Sequence, residues 1–272
     1  MSEIAPLNAV RLIDSHAHLD MSRFDTDREK VIQRAAQSGV TTIINVGIDL
    51  ASSQTAIELA QRYPAIILAT VGIHPQESAR ITGKDIAALS NLSRKSRIVA
   101  IGEIGLDFCR DCAPHYQQIE VLQWQLALAD EMQLPIIIHC RQAEKEMVTT
   151  LTDWHASHGS SSVPSGVIHC FNGSLELANN YINLGFYISL GAYIGYPSSK
   201  SLREVIKALP MDKLLIETDC PFLPPQSRRG QRNEPAYVEE TATELGLIKG
   251  LSLEVVADCT TANAKQIFRI PD

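Results

Sequence analysis

The chain has 272 residues, 45% apolar and 20% charged, a balance that excludes a disordered, collagenous or coiled-coil protein. Its formal charge of −7 argues against a broad basic surface gripping long duplex nucleic acid by electrostatics alone, but not against phosphate chemistry at a site carrying its own cations. No apolar run reaches the ~18 residues of a membrane span, the first residues lack the basic and apolar regions of a secretory leader, and six cysteines are too few for a disulfide scaffold, so a cytoplasmic protein with reduced thiols is expected.

The first predicted strand, residues 10–13, runs straight into Asp14-Ser15-His16-Ala17-His18. A helix follows over 26–38, with Val31, Ile32, Ala35 and Ala36 at helical spacing and Gly39 as its stop. The same theme then repeats. Strands are predicted at 41–46, 66–71, 98–101, 135–138, 166–168, 186–190 and 213–216. Helices are predicted at 52–62, 86–92, 115–132, 143–154, 175–184 and 202–209. Apolar runs without polar alternation suit strands buried on both faces. Eight βα units match one (β/α)₈ TIM barrel spanning 1–272, with an open doubly wound sheet as the alternative. Residues 221–235 are rich in proline and arginine, and they read as an active-site loop after the last strand.

Polar residues suited to chemistry gather where these apolar runs end. They are His16 and His18 after strand one, Glu103 after strand four, His139 after strand five, His169 after strand six and Asp219 after strand eight. In a parallel barrel those ends share one mouth. Two histidines at i and i+2 of an extended segment point the same way and can share an ion. Six nitrogen and oxygen ligands exceed one open tetrahedral site, yet suffice for two divalent ions sharing a bridging carboxylate. A lone histidine at a strand end is usually just a polar loop residue; the joint placement is what favours a metal centre. His155 and His158 read as solvated, and His115 as a helix opener. Cys109 and Cys112 read as loop thiols, since one CxxC without a second is a weak zinc or redox signal. Cys140, Cys170 and Cys220 each follow a proposed ligand and are expected outside the barrel interior.

The stretch Leu12-Ile13-Asp14-Ser15-His16-Ala17-His18-Leu19-Asp20 resembles the opening signature of the TatD family of metal-dependent deoxyribonucleases. So do Gly72-Ile73-His74-Pro75, Gly102 to Asp107, Pro135 to Ala143, His169-Cys170-Phe171, Leu214 to Pro221, Arg229-Gly230 and Asn233-Glu234-Pro235. The matches are ordered and span nearly the whole chain. The resemblance implies an amidohydrolase-type barrel with two divalent ions, magnesium, manganese or zinc. His16, His18 and Asp219 would hold one ion, His139 and His169 the other, and Glu103 would bridge. It also implies a nuclease trimming DNA from a 3′ end, on accessible single strands, with Asp219 and Glu103 as catalytic residues.

His74, Arg141 and Arg229 are expected to contact substrate, and Arg228 and Arg232 to help track a strand. Even with two divalent cations the formal charge stays negative, so attraction for phosphate must be local to the mouth. A hydrolase of small phosphoesters, lactones or amides on the same barrel is the enzymatic alternative. A metal-loaded scaffold is the non-enzymatic one. With no apolar stripe left over, a monomer without membrane contact is expected.

Overall fold

A computed structural model describes residues 10–110, 112–157 and 165–271 of the chain. Eight parallel strands adjoin one another in chain order: β1 (Leu12–Ala17), β2 (Val40–Val46), β3 (Ile67–Val71), β4 (Ile98–Asp107), β5 (Ile136–Arg141), β6 (Gly166–Ile168), β7 (Phe186–Leu190) and β8 (Leu214–Ile216). Between β1 and β8 the seam is closed at its carboxyl end. Asp219 N–H donates to His16 O at 2.9 Å and His18 N–H to Cys220 O at 2.9 Å, flanking a parallel bridge from Ala17 to Cys220. The result is the α/β barrel expected from the repeated apolar runs.

The helices are α1 (Arg28–Gln37), α2 (Leu50–Arg62), α3 (Gly83–Ser93), α4 (His115–Met132), α5 (Glu144–Ser157), α6 (Leu175–Asn183), α7 (Lys200–Ala208), α8 (Val238–Lys249) and α9 (Leu253–Phe268). Their starts and stops follow local chemistry. Asp49 and Ser52 form a reciprocal capping box at the head of α2, and Gly250, at φ +68°, ends α8 in the left-handed conformation. None among the described residues is long and apolar enough to cross a membrane.

Two apolar clusters divide the work. The larger lies between sheet and helices. The smaller contains Ile13, Ile44, Ala100, Ile137, Val167, Tyr187 and Leu215 from the strands, joined by Ala264, Ile267 and Phe268 of α9. Helix α9 thereby plugs the end of the barrel opposite the mouth, and Asn263 anchors it by donating to Met211 O and Leu214 O, both at 2.8 Å.

The structure departs from the expected elements in two ways. Strands β1, β4 and β5 run on through Ala17, Asp107 and Arg141, so His16, Glu103 and His139 lie inside strands rather than after them. Hydropathy ends a strand at its first polar residue; here the polar residues continue it because they face a shared buried centre. Helices α8 and α9 have no counterpart among the predicted helices. Cys220 is buried in the outer cluster and Cys140 and Cys170 pack against it, as expected. His155 is exposed, while His158 and residues 1–9, where no leader was expected, lie outside the described residues.

Gly105 shows how tightly the mouth is built. It has φ +146°, and a Cβ there would stand 1.9 Å from His139 O. Gly105→Ala should therefore lower the melting temperature by about 2–12 °C, since such strain costs about 1–3 kcal/mol and each kcal/mol is worth about 2–4 °C in a chain of this size. Gly83→Ala, with open space around it, should leave the melting temperature unchanged or slightly raised in the same calorimetric scan.

Candidate metal centre

The strand ends bring the six expected ligands together. His16 and His18 meet with their Nε2 atoms 3.1 Å apart, as two like-facing residues of one extended segment must. The Glu103 carboxylate stands between two groups of imidazoles. Its Oε2 lies 3.4 Å from His16 Nε2 and 3.7 Å from His18 Nε2. Its Oε1 lies 2.8 Å from His139 Nδ1, 3.1 Å from His169 Nε2 and 3.5 Å from His74 Nε2. Asp219 joins the first side, with Oδ1 3.5 Å from His18 Nε2 and 3.9 Å from His16 Nε2. Three overlapping triads can offer ligand atoms to one ion: His16–His18–Glu103, His16–His169–Asp219 and His74–Glu103–His139. The second crosses from one side to the other, and the distances to the separate Glu103 oxygens give the clearer division.

Three of the imidazoles have a polar group behind them. Val46 O faces His18 Nδ1 at 3.1 Å. Glu217 Oε1 faces His169 Nδ1 at 3.3 Å, and Asp107 Oδ2 faces His139 Nε2 at 3.4 Å. In each case the other ring nitrogen is left for the centre, the arrangement that fixes tautomer and ring orientation in metal sites. Asp107 is held in turn by Gln76 Nε2 at 2.7 Å, and Glu217 accepts from Cys170 N–H at 2.7 Å. Asp219 sits at φ +53°, pinned through its neighbour Thr218, whose N–H and hydroxyl both donate to buried Asp14, at 2.9 and 2.6 Å. Asp14, Asp107 and Glu217 were not singled out as functional in the sequence, although each lies inside a quoted motif.

The donor set fits cations. Ring nitrogens and carboxylate oxygens converge in a buried space, with ligand atoms of His16, His18 and Glu103 close enough to share one ion. Burial pushes Glu103 up, but the histidines around it, led by His169 and His74, hold it well below the ordinary carboxylate range. Burial lowers His18, yet Asp219 and Glu103 outweigh it and raise the ring to about 9. Positive charge is thus in demand on both sides of Glu103, and protons supply it when cations do not.

His74 behaves differently. Its Nδ1 accepts from Gln76 N–H at 3.2 Å, so in the neutral ring the proton lies on Nε2, facing Glu103 and the mouth. Burial drives it down to about 3, against the pull of Glu103. Arg141 is exposed at the end of β5, on the boundary between a cleft of about 390 Å³ and a neighbouring one of about 620 Å³. Arg229 is exposed and lies over the ring of Tyr196 at 4.6 Å, beside the larger cleft. Arg228 and Arg232, expected on a strand track, are engaged elsewhere. Arg228 pairs with Glu240, and Arg232 grips both oxygens of Asp27. Arg110, passed over between Cys109 and Cys112, lines the smaller cleft.

A cation entering this centre must displace the proton on His18. Below about pH 9 divalent affinity should therefore fall by about tenfold per pH unit for each proton displaced. Calorimetric titration of zinc at pH 7 in two buffers of different ionisation enthalpy should show release of at least about one proton per chain, and His18→Ala should reduce that number.

Comparison with known proteins agrees with this architecture. The family model described as TatD related DNase matches residues 13–269. The metal-dependent hydrolase YabD of Bacillus subtilis is 43% identical over 259 residues, covering 95% of this chain and 99% of that one. A protein of Erwinia tasmaniensis named 3′-5′ ssDNA/RNA exonuclease TatD is 33% identical over 264 residues, covering 95% and 100%. The crystal structure of YJJV, a TatD homologue from Escherichia coli K12, superposes with a TM-score of 0.89 at 32% identity, covering 97% of this chain and all of that one. With the family model spanning nearly the whole sequence, the chain belongs to the TatD family of metal-dependent hydrolases.

Proposed function

We propose that the protein is a two-metal deoxyribonuclease that removes nucleotides from the 3′ end of single-stranded DNA. In this reading His16, His18 and Asp219 hold one divalent ion, His139 and His169 hold a second, and Glu103 bridges them. The observation that carries it is the division of the Glu103 carboxylate, with Oε2 toward His16 and His18 and Oε1 toward His139 and His169. Relatives named as 3′-5′ ssDNA/RNA exonucleases support the substrate and the polarity.

Magnesium, manganese or zinc bound there would supply an acidified water and neutralise charge on the phosphate. The chain's own groups do the rest. Asp219 is the most open of the acids around the centre, its side chain 14% exposed against 4% for Glu103, so it can reach an attacking water and accept its proton. Glu103, held ionised, fixes the spacing of the two sides. His74 is neutral and carries its proton on Nε2, which suits it to donate a hydrogen bond to a phosphate or leaving oxygen rather than to add charge. Arg141 can grip a non-bridging phosphate oxygen from the rim.

Metal-stripped protein given back magnesium, manganese or zinc should shorten end-labelled single-stranded DNA stepwise from its 3′ end. Asp219→Ala should slow this by at least about 100-fold, as expected for loss of a general base. No shortening with any ion, alongside turnover of small phosphoesters or lactones, would overturn the nuclease reading in favour of a small-molecule hydrolase.

A further inference from the structure

The smaller cleft has one wall that the proposed chemistry does not use. Phe222 lines it, three residues after Asp219, together with Met21, Gln76, Arg110 and Arg141. Its side chain is 42% exposed, and Tyr116, on α4, is the only other large exposed aromatic among the described residues. Leaving a phenylalanine this exposed forgoes part of the gain from burying it. Hydrogen bonds on both sides hold the backbone that carries the ring. Phe222 N–H donates to Asp219 O at 2.9 Å. Phe222 O accepts from Asn233 Nδ2 at 2.7 Å, and this fully buried amide also donates to Thr218 O and Leu223 O. The ring stands 6.3 Å from that of His18 at 72°, an edge contact that leaves an aromatic face for the cleft. Arg110 and Arg141, both exposed, have no carboxylate partner among the described residues.

An exposed aromatic face, two cations without a carboxylate partner among the described residues and a centre that suits phosphate match the parts of a nucleotide. We propose that Phe222 is the stacking platform for a nucleobase flanking the scissile phosphodiester, with Arg110 and Arg141 on the adjoining phosphates. This rests on the nuclease reading and deepens it, because it supplies a reason for single-strand preference. A base inside a duplex has both faces stacked and must first be freed from its stack and its partner, whereas an unpaired terminal base offers a face at once. Selection among bases is weak, since every base has a π-face.

The test uses metal-loaded full-length protein and three end-labelled single strands: one intact, one abasic at the 3′-terminal position and one abasic at the penultimate position. Phe222→Ala should raise KM on the intact strand by about 5- to 150-fold, the value of one base–aromatic stack, with kcat within a few-fold of the wild type. On one of the two abasic strands the same substitution should change nothing. Phe222→Trp should retain wild-type KM, and 2-aminopurine at the sensitive position should be quenched on binding by the wild type and the tryptophan variant but much less by the alanine variant. Phe222→Ala that acts equally on all three strands, or on none, overturns the stacking role alone. A wild-type protein that shortens none of the strands overturns the nuclease reading and this one with it.

Discussion

Five imidazoles and two carboxylates turned toward one buried point need positive charge among them. His16, His18, His74, His139 and His169 surround Glu103, with Asp219 closing the open side. Lone pairs that face each other across 3.1 Å, as on His16 and His18, repel unless a proton or a cation lies between them. In the cation-free state a proton on His18 fills that role, and Asp219 and Glu103 hold the ring up near 9 despite its burial. Cations bound there would replace that proton with a fixed charge. Much of the surrounding structure serves to keep these groups facing inward.

The barrel seam shows this. Where β8 meets β1, the bonds that close the sheet at the mouth run through Asp219 to His16 and through His18 to Cys220. Asp14 ties Thr218 to the same seam, and Asn233 pins Thr218 from the following loop. Closure of the fold and placement of Asp219 are therefore one event. The same loop carries Phe222 to the rim, so Asp219 and the exposed ring share one hydrogen-bonded turn. On the other side Asp107 and Glu217 hold His139 and His169 from behind. The mouth is pre-organised by groups that would not touch the substrate.

The fold was legible because barrel strands are buried on both faces, and runs such as Phe186–Leu190 stand out as apolar in any sequence. The limits were physical. Strands β1 and β4 continue through buried acids and histidines, which hydropathy reads as loop. Helix α9 plugs the barrel base with Ile267 and Phe268, a tertiary role that helical spacing does not reveal. The residues the structure brings together around Glu103 were visible as histidines and acids recurring at strand ends. Glu217 and Asp107 were not, because a buried carboxylate behind a histidine looks in sequence like any other acid. Arg228 and Arg232 erred the other way: a run of loop arginines suggests phosphate, yet two of them pair with Glu240 and Asp27. Exposure of Phe222 depends on the turn that holds it, and only coordinates reveal that.

The central claim is that Glu103 bridges two cations, and anomalous diffraction from crystals grown with manganese tests it most directly. The account predicts two peaks about 3.5–4 Å apart, one among His16, His18 and Asp219, the other between His139 and His169, with one Glu103 oxygen toward each. A single peak at full occupancy, or a second one away from His139 and His169, would contradict it.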